Sequence, residues 1–346
     1  MMSGTSLDGI DLALCNFTKE NDGWKYHIDD AITVEYDNEW RNRLENAYKL
    51  DSFRFIKLHN EYGQFIGKSI NSFIKNKKIK IDLIASHGHT IFHKPDEGLT
   101  FQIGNGLYIA VTTNTITISD FRSTDIAYGG QGAPLVPTGD SILFSQYDAC
   151  LNLGGFSNIS FRYNNKIFAF DICPVNIAIN YLMKEKFLLY DNNGENARKG
   201  IIDKSLLNKL ENIKYYKKPY PKSLSREWLE SEFIPFINES TISLENKLRT
   251  LYEHIANQIT FVLNKINITT VLFTGGGVYN KFLMELIKNK INTKTRIIVP
   301  DKYTIEYKEA LIFAFLGLLR YHNEVNCYAS VTGASKDTIG GIIYLP

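Results

Sequence analysis

Cysteine is scarce in this chain and shows no pattern. Four cysteines occur in 346 residues, Cys15, Cys150, Cys173 and Cys327, and none belongs to a CxxC pair. That scatter argues against a disulfide framework or a closed zinc site and fits free thiols in a reducing compartment. An excess of one charge is also lacking: 39 Lys and Arg face 37 Asp and Glu, a net charge of +2. There is therefore no electrostatic case for nucleic acid or a membrane surface as partner. Long hydrophobic runs are missing too. The longest, residues 310–319, is too short to span a bilayer and reads as a buried helix. No signal peptide is expected, because the first residues enter a glycine turn directly, and the cytoplasm is the expected compartment.

What is present is an ordinary globular composition, 44% hydrophobic and 22% charged. The length favours two domains with ample core. Two glycine turns stand out. One comprises Gly4, Thr5, Ser6, Leu7, Asp8, Gly9, Ile10 and Asp11; the other runs from Asn152 and Leu153 through Gly154, Gly155, Phe156, Ser157 and Asn158. Glycine lets backbone approach a ligand closely, and successive N–H groups in such turns bind anions. Thr5 and Ser6 add hydroxyls, and Asp8 adds a carboxylate suited to a hydrated metal. One such turn alone is ordinarily a hairpin; a pair, one per half, suggests a gripped nucleotide.

The two halves share one plan. Ile10, Leu12 and Leu14 alternate as in a strand, and a turn at Asn21–Gly23 leads into another strand over 24–36. Helices are expected over 38–50 and 58–73, the latter from the spacing of Leu58, Tyr62, Phe65, Ile66, Ile70 and Phe73. Strands are expected at 81–86 and 115–119. In the second half, strands are expected at 149–153, 159–163 and 167–170, then a helix starting near Pro174. A long helix over 246–265 follows, then a strand at 271–273, a helix at 278–290, a strand at 295–299 and a helix at 307–321. Each half thus reads as three strands pairing in a meander, then alternating helices and strands. The boundary is placed near Gly139, giving domains of 1–139 and 140–346, with an irregular insertion near 192–240.

This order, with glycine turns facing a nucleotide, resembles the actin–hexokinase–Hsp70 superfamily. It implies an α/β fold of two ribonuclease-H-like domains with a nucleotide cleft between them. Further segments narrow the resemblance: SHGHT from Ser86, FQIG from Phe101, SDFR from Ser119, GGQGAPLVP from Gly129, FDICPVN from Phe170, TGGG from Thr274 and SVTGA from Ser330. Together with the glycine turns they are similar to the anhydro-N-acetylmuramic acid kinase family, from Met2 nearly to the C-terminus. The resemblance implies ATP-dependent phosphorylation of O6 of 1,6-anhydro-N-acetylmuramic acid, with water opening the anhydro ring. It implies Asp171 as the base that activates the water. ATP would be held by residues 4–11, Gly154, Gly155, Gly275, Gly276 and Gly277, with Mg²⁺ near Asp8. The sugar would meet His87, Arg122, Ser157 and Glu309. A homodimer is possible within this reading, and ligand is expected to close the two halves.

Other readings compete. An aspartate between strand and helix serves by default as an N-cap, and at a helix N-terminus Asp171 would have a lowered pKa. His87, His89 and His93 read H-x-H-x3-H, but no carboxylate or cysteine spacing supports a metal; sugar-lining is the better reading. Residues 63–69, GQFIGKS, imitate a P-loop one residue short, inside an amphipathic helix, and are rejected as one. The chain departs from the family pattern in its near-absent strand before Met2, in Cys173 and Val175 where glycines are usual, and in His89 where glutamine is usual. These bear on domain stability and on sugar selectivity. A kinase for another amino sugar and a noncatalytic ATP-binding module remain the alternatives.

Overall fold

The computed structural model describes residues 1–4, 7–21, 23–77, 79–164 and 166–346. Strands come in chain order as β1 (Gly9–Glu20), β2 (Gly23–Glu35), β3 (Ile84–Ser86), β4 (His89–Lys94), β5 (Leu99–Ile103), β6 (Thr117–Ser119), β7 (Ala149–Leu153), β8 (Phe156–Tyr163), β9 (Lys166–Pro174), β10 (Thr270–Thr274), β11 (Arg296–Ile298) and β12 (Ile342–Tyr344). The fold is mixed α/β, as the alternation of periods requires. The chain divides into two compact units, residues 1–143 with 307–346, and residues 144–306. Residues 307–346 thus lie with the first unit, whereas the sequence plan grouped them with the second half.

In the second unit one sheet has the order β11-β10-β7-β8-β9. β7, β8 and β9 form the antiparallel meander, and β10 and β11 join β7 in parallel through helical crossovers. The core sits between this sheet and the helix Leu244–Ile266, whose Leu248, Leu251, Tyr252, Ile255, Ile259 and Leu263 recur at helical spacing and are buried. Ser243 caps that helix by accepting from the Asn246 N–H.

The first unit departs from the expected meander. β1 and β2 form a long hairpin, while β3, β6 and β12 make a separate three-stranded sheet. Met1 and Met2 bridge them. Met2 exchanges both backbone bonds with Asp11, and Met1 donates to the Ala85 carbonyl and accepts from the His87 N–H. Met1 also borders a cavity of about 380 Å³. Leu12 and Leu14 of β1, Leu83 and Ala85 on the opposite edge, Ile70 and Phe73 from one helix, and Ala314 and Leu318 from another line it. The Met1 ammonium is buried there, and desolvation lowers its pKa to about 6.

Several local expectations need correction. The helix expected near Pro174 starts at Asn176, and Pro174 ends β9. The stretch near 192–240 is largely helical, including Lys204–Glu211 and Ile234–Glu239. The helix expected over 38–50 stops at Glu45. The helix Lys302–Tyr321 begins before Tyr307, whose φ of −118° and ψ of 17° break its regularity. The P-loop look-alike has a packing explanation. Helix Ser52–Ile74 presents Gly63 and Gly67 to Asn105 and Thr112, where a Cβ would overlap the Asn105 carbonyl and crowd the Thr112 side chain.

Candidate active site

The first glycine turn resolves into parts with different duties. Thr5 and Ser6 lie outside the described residues. Leu7 adopts a left-handed φ of 58°, uncommon for a bulky residue. Asp8 is exposed, and its carbonyl accepts from the Tyr36 N–H at 3.2 Å. Gly9 is demanded by packing, because a Cβ there would overlap the Val34 carbonyl across the hairpin. Ile10 is fully buried in the core. The Asp11 carboxylate accepts from Thr33 Oγ1 at 2.7 Å.

The same unit assembles a polar group around Arg122. Its Nε and Nη2 lie 3.1 and 2.9 Å from His87 Nε2, and its Nη1 donates to the Gly132 carbonyl at 2.6 Å. His87 is buried, and its Nδ1 lies 3.0 Å from the Gly88 carbonyl. With Arg122 donating to Nε2, the proton belongs on Nδ1. Burial, reinforced by the Arg122 charge, holds the His87 pKa well below its ordinary value, so the ring is neutral. His87 therefore orients the guanidinium. Its two companions are engaged separately: His89 with Ser3 Oγ at 2.9 Å, His93 with Thr100 Oγ1 at 3.2 Å. Among the described residues no three His, Cys, Asp or Glu side chains gather as a metal site.

Glu309 keeps solvent contact although protein surrounds it, the condition of a residue in a recess. Desolvation raises its pKa; Lys308 and Arg122 oppose the rise, and Asp11 and Asp140 add to it. Beside it Lys308 pairs with Asp140 at 3.2 Å, both side chains only 6% exposed. Buried ion pairs are costly to break, so this one fixes the helix that carries Glu309. Sequence reasoning missed the pair, for the two residues are 168 positions apart.

In the second unit the two glycine segments meet. Gly275 has a left-handed φ of 82°, and a Cβ would overlap Asn152 Oδ1. A Cβ on Gly277 would sit 2.8 Å from Leu153 Cβ. Those two glycines are explained by packing. Gly155 and Gly276 are different: an added Cβ would meet only Ile177 at 3.7 Å and Asn176 Nδ2 at 4.0 Å. Their outer faces are open, as close approach of a ligand requires. The Gly154 and Gly155 carbonyls accept from Asn176, Val175 and Ile177, which fills the start of the helix Asn176–Met183.

Asp171 lies within β9, not at a helix start, so it is no N-cap, and its pKa is not lowered as that reading required. Burial raises it from 3.8 to about 6, opposed by one hydrogen bond from the Leu224 N–H to Oδ2 at 2.8 Å. The main chain around it is held from the same remote segment. The Asp171 N–H donates to the Lys222 carbonyl at 3.1 Å, and the Tyr215 hydroxyl donates to the Asp171 carbonyl at 2.6 Å. β9 is the edge strand of its sheet, so its outer side is free for those bonds. A carboxyl poised near 6 is suited to accept a proton at neutral pH.

Ser157 is fully buried, its Oγ donating to the Cys173 carbonyl at 3.2 Å and accepting from the Cys173 N–H at 3.3 Å. Cys173 and Val175 are themselves 0% exposed. The two departures from glycine therefore fill core space.

A family model described as anhydro-N-acetylmuramic acid kinase matches residues 1–346. The chain is 34% identical to a protein of that name from Bacillus cereus (strain ATCC 10987 / NRS 248) over 375 residues, covering 100% of this chain and 98% of the relative. It is 33% identical to one from Bacillus thuringiensis (strain Al Hakam), covering 100% and 97%. Among solved structures, a ROK family glucokinase from Streptomyces griseus in complex with glucose and AMPPNP aligns with a TM-score of 0.32 at 10% identity, over 68% of this chain and 82% of that one.

Proposed function

The chain belongs to the anhydro-N-acetylmuramic acid kinase family, and from that premise we propose that it converts 1,6-anhydro-N-acetylmuramic acid, ATP and water to N-acetylmuramic acid 6-phosphate and ADP. The observation that carries this reading is Asp171, a partly buried carboxyl with a pKa of about 6. Water attacks C1 of the sugar and passes its proton to Asp171. The C1–O6 bond breaks, O6 takes the γ-phosphoryl group, and ADP leaves. Arg122, held by His87 and Gly132, steadies the charge that develops on the sugar. Glu309, whose carboxyl keeps solvent contact, accepts a hydrogen bond from a sugar hydroxyl. The buried side chain of Ser157 serves by holding β8 to β9.

The open faces of Gly155 and Gly276 fit backbone contact with the nucleotide. The exposed carboxylate of Asp8 fits a hydrated Mg²⁺, which would neutralise the β- and γ-phosphates when bound. No helix among the described residues is long and apolar enough to cross a membrane, in keeping with a reaction in the cytoplasm.

The test is turnover with ATP and a panel of anhydro and reducing amino sugars, run in ¹⁸O-labelled water. The expected product carries phosphate on O6 and the label on C1. A preference for the reducing sugars would overturn the reading in favour of a simple amino-sugar kinase.

A further inference from the structure

Asp125 is a buried carboxylate that the reaction above does not use. It is 0% exposed. Gly132 N–H donates to its Oδ2 at 2.7 Å, and Thr332 Oγ1 donates to its Oδ1 at 2.7 Å. Cys327 Sγ adds a third, weaker donor at 3.2 Å. A charge taken out of water this completely is tolerated only when its lone pairs are met, and charge-assisted bonds of this kind are strong and directional. Burial, with the Asp125 charge beside it, pushes the Cys327 thiol up to about 12, so it remains a donor.

What these bonds hold is one residue, Gly132, through the two peptide groups that flank its α-carbon. Gly132 has a φ of 64°; its N–H is fixed by Asp125, and its carbonyl accepts Arg122 Nη1 at 2.6 Å. Gly130 is the other fitted part, because a Cβ there would overlap the Asp125 carboxylate. The GGQG run and the SVTGA run thus meet on one carboxylate, although Thr332 lies 207 positions from it. A line of hydrogen bonds runs from Thr332 through Asp125 and Gly132 to Arg122.

We propose that Asp125 is a positioning residue for Arg122, acting through the main chain at Gly132. The proposal rests on the role given to Arg122 above. Removing the carboxylate leaves the Gly132 N–H buried without an acceptor, so the loop moves and its carbonyl leaves the guanidinium. Displacement of a catalytic group by about 1 Å costs up to about 10²-fold in rate.

The experiment compares Asp125→Ala, Asp125→Asn and Thr332→Val, each with and without Arg122→Ala, by kcat, by KM for ATP and by melting temperature. Asp125→Ala should lower kcat about 10–10²-fold with KM for ATP little changed. Asp125→Asn should recover much of the loss, since the amide oxygen can accept the Gly132 N–H. Thr332→Val, the milder change, should lower kcat a few-fold. In the Arg122→Ala background none of the three should cause a further loss. Equal losses in both backgrounds would overturn the proposal, because they would show a merely structural role. A second readout needs no turnover: the Arg122 Nε–H resonance, assigned by its absence in Arg122→Ala, should be protected from solvent exchange in the wild type and lose that protection in Asp125→Ala and, in part, in Thr332→Val. Retained protection would also overturn the proposal. A wild type with no sugar turnover would instead count against the proposed function and leave this second readout to decide the positioning role.

Discussion

Replacing Asp171 by asparagine should make the protein more stable and nearly inactive. The magnitude follows from the site. Holding this carboxyl at about 6 against an ordinary 3.8 means the folded state disfavours its charge. At 1.36 kcal/mol per pH unit, that costs about 3 kcal/mol once the group is ionised in both states. The sign is definite. A carboxyl with a raised folded pKa imposes nothing below pH 3.8, an increasing cost between 3.8 and 6, and the full cost above. Asparagine is neutral throughout, and its Oδ1 can still accept the Leu224 N–H, so packing survives. For a domain of this size the melting temperature should rise by on the order of 5–10 °C at pH 8, and by about half as much at pH 5. Without a proton acceptor, kcat should fall about 10²–10⁴-fold. The assay is a pair of melting curves at pH 5 and pH 8 beside steady-state kinetics. An unchanged melting temperature at pH 8, or a gain of equal size at both pH values, refutes the desolvation argument. Near-wild-type turnover refutes the base.

Other consequences can be measured separately. The wild-type kcat/KM should rise with pH along an acid limb near 6, set by Asp171, and this limb should be missing in the residual activity of Asp171→Asn. Gly155→Ala should fold normally and bind nucleotide less tightly in calorimetry, whereas Gly275→Ala should lower the melting temperature, because only the latter Cβ overlaps Asn152. Asp140→Ala removes the carboxylate that pairs with the buried Lys308 ammonium and should destabilise the first unit by about 3–5 kcal/mol in denaturant titration.

Much of the framework was legible because it rests on local periodicity. Alternation at Ile159, Phe161 and Tyr163 and the apolar run at 149–153 marked β8 and β7, and the spacing of Leu58, Tyr62, Ile66 and Ile70 marked the long helix. The short strands β4, β5 and β12 were missed. The helices in the 192–240 stretch were missed because their apolar residues are spread among lysines and asparagines. At the site, the motifs drew attention to Asp171, Arg122 and Glu309. They could not reveal what surrounds them. Leu224 lies 53 positions from Asp171, and Asp140 lies 168 from Lys308. Nor could they separate Gly275 from Gly276, whose different duties follow from what stands beside each α-carbon.

The Leu224 N–H has a consequence of a different kind. It is the donor that opposes the rise in the Asp171 pKa, and it belongs to the main chain. Burial makes the base stronger, and what restrains it is a part of the molecule that almost every amino acid carries alike. Exchanging the Leu224 side chain for another of similar bulk leaves the carboxyl's acidity alone. Only proline, which has no N–H to give, would turn Asp171 into a stronger base. Two chains with different residues here can share the same proton affinity, and an alignment column that looks unconstrained can still govern the pH at which the enzyme works.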